Sequence, residues 1–78
     1  MSISLDEIKR GESCVVERII KDTPSMQLLI EAGLLPETRV KLVRKAPFGD
    51  PIEIRLRGYS LSLRRADASA IWVRKGTK

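Results

Sequence analysis

The chain has 78 residues, a hydrophobic fraction of 42% and a formal net charge of +5. This length suits a single domain, residues 1–78, whose one small core supplies nearly all the stability. Its longest apolar runs are only a few residues, and its first ten residues already include Asp6, Glu7, Lys9 and Arg10. These features argue against a spanning helix and a signal peptide, so we expect a cytoplasmic protein with no membrane insertion.

The chain contains no histidine and only one cysteine, which restricts its chemistry. The imidazole and thiolate cages that hold zinc, iron or copper cannot be assembled within one chain, and histidine-based nucleophile pairs are missing. The ten carboxylates are spread along the sequence, so we predict no catalytic residue, no metal ligand and no cofactor. A site made wholly of carboxylates is left open. Cys14 lies beside two valines and is predicted to be a small buried thiol.

The first twenty residues contain signals for a helical turn and a strand. Ser4 to Glu7 form a capping-box pattern, which predicts one or two helical turns before Gly11 lets the chain reverse. β-branched residues are frequent from Cys14 to Ile20, and they favour a strand there.

A helix of about ten residues is predicted from Pro24 to Ala32. Thr23 is a favoured N-cap, and proline suits the first helical position because its missing amide is not needed there. Gly33 supplies the left-handed residue that ends such a helix. Three apolar residues recur at helical spacing and are expected to face the sheet: Met26, Leu29 and Ile30.

The second half of the chain is dominated by strand patterns. Arg39 to Lys45 predicts a strand, and the two prolines and one glycine of Ala46 to Pro51 predict a stiff loop. From Ile52 to Leu63 apolar and polar residues alternate, which predicts a hairpin with a polar, mostly basic outer face. If Gly58-Tyr59 is the turn, the opposed pairs are Arg57 and Ser60, Leu56 and Leu61, and Ile54 and Leu63.

The chain is predicted to end with a short turn over 65–70 and a strand over Ile71 to Val73, from which Trp72 points outward. A polar tail at 75–78 is expected to be frayed. Together the patterns predict a mainly β fold, a small partly open barrel of about five strands with one inserted helix and a short N-terminal helical turn.

Three stretches resemble the hallmark sequences of the FeoA family, namely Gly33 to Thr38, Ala46 to Ile52 and Gly58 to Arg64. Their order and spacing extend the resemblance over nearly the full length. Glu37 stands where the family often has glycine, and this concerns the geometry of one turn. The resemblance implies an SH3-like barrel, not an enzyme, that serves ferrous iron uptake in the cytoplasm. It would bind and modulate, or assemble, the membrane transporter FeoB.

Charge is divided unevenly along the chain. Residues 22–38 contain three acids and no base, whereas residues 39–65 contain eight bases and two acids. This charge either steers the protein toward an acidic partner, phosphates or anionic lipids, or is an ordinary solvated face. Nucleic-acid binding is the rival hypothesis, and it is disfavoured because only Tyr59 and Trp72 could stack on bases. The basic face comprises Arg39, Lys41, Arg55, Arg57 and Arg64.

Several apolar residues are candidates for contact with a FeoB-like transporter, through its cytoplasmic G domain or its membrane-proximal region. Phe48 in the stiff loop is either a hydrophobic anchor or a lid over one end of the barrel. Trp72 either presents an exposed indole or packs beneath the inserted helix. Weak self-association is left open. The candidate partner-binding residues are Met26, Leu28, Leu35, Pro47, Phe48, Asp50, Tyr59 and Trp72.

Overall fold

A computed structural model describes residues 2–75. Over this range the chain forms one antiparallel sheet of six strands in the order β1-β6-β2-β3-β4-β5, with two α-helices. This confirms the mainly β prediction, although β1 and α2 were not predicted. The elements are β1 (Ile3–Ser4), a 3-10 helix (Leu5–Glu7), β2 (Ser13–Ile19), α1 (Pro24–Glu31), β3 (Arg39–Lys45), β4 (Ile52–Leu56), β5 (Tyr59–Leu63), α2 (Arg65–Ala68) and β6 (Ile71–Lys75).

The inner face of the sheet surrounds one aliphatic core. Val40 and Leu42 of β3 alternate with exposed residues, and Ile52, Ile54 and Leu56 of β4 alternate with one half-buried and one exposed residue, as the period of two predicts. Each such buried side chain contributes roughly 1.5–3 kcal/mol relative to an exposed one. The core also includes Leu5, Ile8, Cys14, Val16, Met26, Leu29, Leu34, Ile71 and Val73.

Helix α1 begins at Pro24 as predicted and ends at Glu31, one residue before the predicted end at Ala32. The backbone N–H of Met26 donates to the Thr23 hydroxyl oxygen at 3.2 Å, which satisfies one of the free amides of the first turn. Ala32 caps the other end, and Gly33 follows with φ of 109°, a conformation that glycine adopts at little cost. The cap therefore fixes where α1 starts relative to the sheet.

The β4–β5 hairpin corrects the predicted register. Arg57 and Gly58 form the turn, both with positive φ (50° and 85°), so the predicted Gly58-Tyr59 turn is wrong. Two positive φ values match the right-handed twist of the flanking strands, and the hairpin accepts arginine in the first position to obtain it. The observed pairs are Leu56 with Tyr59, Ile54 with Leu61 and Ile52 with Leu63. Because each partner moved by two residues, the apolar face is unchanged.

The N-terminal turn also differs in detail from its prediction. It is a single 3-10 turn, in which the Ile8 N–H donates to the Leu5 carbonyl at 3.1 Å. The Ser4 hydroxyl faces the carboxylates of Asp6 and Glu7 instead of capping a backbone amide. The predicted capping box is therefore wrong, because so short a turn presents no α-helical amide to the hydroxyl.

The C-terminal part of the chain is more regular than predicted. Residues 65–68 form the short helix α2, and the final strand continues to Lys75 instead of ending at Val73. Lys75, which was predicted to belong to a frayed tail, is part of β6. The other residues of that tail, 76–78, lie outside the described residues.

Candidate functional site

An apolar groove of about 300 Å³ lies between α1 and the segment that joins β5 to α2. Leu28, which α1 turns away from the core, forms one wall and is 68% exposed. Two predicted candidates, Leu28 and Arg64, meet here, although they belong to different sets in the sequence analysis. The full lining is Ser25, Leu28, Leu29, Pro51, Ser62, Leu63, Arg64 and Asp67.

Asp67 is a buried acid at the edge of this groove that the sequence analysis missed. Its carboxylate accepts a hydrogen bond from the Ser25 hydroxyl at 3.3 Å and lies 3.6 Å from the Lys21 ammonium. These contacts tie α2 to the start of α1, so the groove has two fixed walls. The position of Asp67 beside the groove becomes visible only when α1 and α2 are packed together, since nothing in its local sequence distinguishes it.

The loop between β3 and β4 presents Phe48 to solvent. This side chain is 95% exposed, so it does not form the lid that was one of its two interpretations, and the anchor role stays a hypothesis. The loop is held at both ends, because the Ala46 N–H donates to the Pro51 carbonyl at 3.0 Å and the Asp50 carboxylate accepts from the Arg65 N–H at 3.0 Å. Pro47, beside Phe48, is also exposed. A braced loop offers an aromatic side chain at low entropic cost on binding.

The remaining candidate contact residues are distributed over the molecule. Tyr59 is partly exposed, and its hydroxyl donates to the Ala32 carbonyl at the end of α1. Leu35 is exposed just beyond that end. Trp72 is half-buried on β6 between Ser4 and Arg18 of the neighbouring strands, and its buried indole N–H has no partner among residues 2–75. Trp72 therefore lies toward the opposite edge of the sheet from β5.

Met26 requires a correction. Its side chain is fully buried in the core, so it does not contribute to a surface that a partner could contact. Its helical spacing with Leu29 already indicated an inward orientation, so the prediction that Met26 contacts a partner was wrong.

The predicted basic face divides into separate regions. Lys41 and Arg55 are direct cross-strand neighbours and line an open cleft of about 450 Å³ on the outer face of the sheet. Arg57 packs beside Gly33 at the end of α1, whereas Arg64 lines the apolar groove. Arg39 lies two residues before Lys41 on β3.

Metal and thiol chemistry each need particular groupings of side chains. Within residues 2–75 no three histidine, cysteine, aspartate or glutamate side chains form a group that could hold a metal ion. Burial, and to a smaller extent the nearby Glu12 charge, raises the pKa of the Cys14 thiol to about 11. The thiol is therefore protonated and poorly nucleophilic at neutral pH.

Within residues 2–75, no helix is long and apolar enough to cross a bilayer.

The curled sheet with its inserted helix is the architecture of a small SH3-like domain, and solved structures share it. An FeoA-like protein from Clostridium acetobutylicum has a TM-score of 0.87 and 35% identity, covering 99% of this chain and 90% of its own. FeoA from Stenotrophomonas maltophilia, a prokaryotic SH3 domain protein complexed with zinc, has a TM-score of 0.79 and 25% identity, covering 91% and 88%.

A family model described as FeoA domain matches residues 3–75. The chain therefore belongs to the FeoA family, which is associated with ferrous iron transport, and the predicted resemblance is confirmed. A relative from Porphyromonas gingivalis (strain W83), a Fe(2+) transport protein A/Fe(2+) transporter FeoB fusion protein, is 32% identical over 69 residues. The match covers 88% of this chain but only 8% of that fusion protein.

Proposed function

We propose that this protein is a cytoplasmic accessory subunit of a FeoB-type ferrous iron transporter, which it binds through protein–protein contacts. The observation that carries the proposal is the Porphyromonas gingivalis relative, in which an FeoA segment and FeoB occupy one chain. Fusion keeps two units at a high effective concentration, which favours contacts between them. A separate FeoA chain would make the same contacts between molecules.

The apolar groove and the Phe48 loop are the surface best suited to such contacts. Burying an exposed leucine or phenylalanine side chain releases roughly 1.5–3 kcal/mol, and aromatic anchors commonly dominate binding energy. Leu28 and Phe48 are the two most exposed large apolar side chains among residues 2–75. Ser62 and Arg64 are exposed, line the groove with Leu28 and supply the polar rim that is typical of protein interfaces.

The role of the bound protein is to shift the transporter between its states. A partner changes an equilibrium only by its difference in affinity for the two states, so the affinity should depend on the nucleotide bound to the G domain. This mechanism requires no catalytic group from the FeoA chain.

Isothermal titration calorimetry with the cytoplasmic domain of FeoB, in its GDP-bound and GTP-analogue-bound forms, tests the proposal. We expect Leu28→Ser and Phe48→Ala each to weaken binding by about tenfold or more, which corresponds to 1.4 kcal/mol. Ile20→Ser is the matched control, because Ile20 is 54% exposed but does not line the groove. Circular dichroism should show all three variants folded. Absence of association in every nucleotide state would contradict the proposal.

A further inference from the structure

The basic cleft on the outer face of the sheet has a regular construction. Ser13 on β2 pairs with Lys41 on β3, Lys41 pairs with Arg55 on β4, and Arg55 pairs with Ser60 on β5. Two hydroxyls thus flank two cations in one row across four strands. Arg10 joins this cleft because the next residue, Gly11, donates its N–H to the Leu42 carbonyl at 2.8 Å.

Like charges directly opposite each other on neighbouring strands oppose folding, so the Lys41 and Arg55 pair is unexpected in a purely structural sheet. Within residues 2–75, no carboxylate oxygen lies within 4.0 Å of the charged nitrogens of Arg10, Lys41 or Arg55. The one acid that lines the cleft, Glu53, is engaged by Arg44, whose Nε lies 3.1 Å from its carboxylate.

Two cations of β6 show the contrasting arrangement, in which each charge is paired with an acid. Arg74 contacts the carboxylates of both Glu17 and Glu37, at 3.5 Å and 3.1 Å, and Lys75 lies 3.6 Å from that of Glu12. Arg18 and Arg39 also lack such a contact within residues 2–75, but they do not line the cleft, where three unpaired cations meet. Its concave shape brings the three cations toward a common volume.

We propose that this cleft binds a phosphate group, carried either by a small soluble phosphate compound or by the head group of an anionic lipid. Guanidinium and ammonium groups donate charge-assisted hydrogen bonds to phosphate oxygens, and the Ser60 hydroxyl adds a neutral donor in the same row. The ligand relieves the repulsion between Lys41 and Arg55. The site is separate from the apolar groove, so it does not depend on the proposed function.

Titration of ¹⁵N-labelled protein with inorganic phosphate and with pyrophosphate, at constant ionic strength, tests the soluble source. We expect saturable shifts of the amide signals of Gly11, Lys41, Arg55 and Ser60. Loss of one charge-assisted donor in Arg55→Gln should weaken binding about tenfold. Arg18→Gln removes the same charge from an exposed position on β2 outside the cleft, and it should bind as the wild type does.

Co-sedimentation with phosphatidylcholine vesicles, with and without phosphatidylglycerol, tests the lipid source. Binding that requires phosphatidylglycerol and is lost in Arg55→Gln, but not in Arg18→Gln, assigns the phosphate to a head group. Arg10→Gln repeats both tests outside the strand ladder, in case Arg55→Gln disturbs folding. The proposal is overturned if neither source binds saturably, if Arg18→Gln weakens binding equally, or if only an oligonucleotide binds.

Discussion

The apolar groove and the basic cleft are built in opposite ways. The groove joins segments distant in sequence, α1, the β3–β4 loop and the start of α2, and its walls are mostly apolar. The cleft is formed mainly by neighbouring strands and gathers cations that lack acidic partners in the described part of the chain. The groove suits apolar side chains, which gain by being buried away from water, and the cleft suits an anion. A domain of 78 residues thus carries two recesses of different chemistry.

The largest expected effect separates the groove wall from the core beneath it. Met26 and Leu28 are two residues apart on α1, but only Met26 is buried. Met26→Ala should destabilise the protein by about 2–5 kcal/mol, because it leaves a cavity. Leu28→Ala should change the free energy of unfolding by less than about 0.5 kcal/mol. Urea unfolding of both variants measures the contrast, and similar losses would show that the groove wall is part of the core.

A second prediction concerns the buried Cys14 thiol on β2, the strand that pairs with β3 of the cleft. The pKa of Cys14 is raised from 9.0 to about 11 on folding, so the folded state keeps a proton that the unfolded state releases. Its contribution to stability is complete below pH 9 and is lost as the pH rises toward 11. Urea unfolding midpoints should fall less steeply over this range in Cys14→Ala than in the wild type. Parallel curves would show that the thiol is not desolvated.

The turn that joins the helical region to β3 gives a smaller effect. Glu37 has φ of 72°, a left-handed conformation that is costly for glutamate and easy for glycine. Glu37→Gly should therefore raise the free energy of unfolding by roughly 0.5–1 kcal/mol. The ion pair of Glu37 with Arg74 is exposed and offsets little of this gain. Glu37→Ala is the control, since it removes the ion pair but keeps the backbone cost, and it should not stabilise.

The smallest effect tests whether the cleft carries a cost in stability. Arg55→Gln removes the repulsion from Lys41 directly opposite, so it should stabilise the unliganded protein by roughly 0.2–0.5 kcal/mol. Raising the salt concentration should reduce this difference, because exposed charges are screened. A loss of stability in Arg55→Gln at low salt would mean that the side chain has a structural role in the sheet.

Much of the fold follows from local patterns. The cap at Thr23 and the glycine after α1 fix the helix, and the alternation from Ile52 to Leu63 fixes which face of the hairpin is buried. The turn was predicted one residue too late because only Gly58 indicated it. Nothing in the sequence showed that Arg57 would also adopt positive φ. Strand β1 has only two residues and exists through pairing with β6, which no local pattern shows.

The candidate sites depend on pairing between distant segments. The sequence could therefore identify some of the residues of each site, but not how those residues are arranged. Lys41 and Arg55 were both expected on an outer face, but a six-residue loop and a register shift between Leu42 and Arg44 determine that they oppose each other. Arg10 and Asp67 were missed, because the first joins the cleft through backbone pairing and the second joins the groove through helix packing.

Chemical-shift mapping of the labelled protein with the cytoplasmic domain of a FeoB transporter decides whether the apolar groove and the Phe48 loop form the contact surface. We expect perturbed signals at Leu28, Phe48 and the other groove residues, with a magnitude that changes with the bound nucleotide. Signals around Ile20 should stay unperturbed. A spectrum that stays unchanged in every nucleotide state, or whose changes avoid the groove and the Phe48 loop, would contradict this expectation.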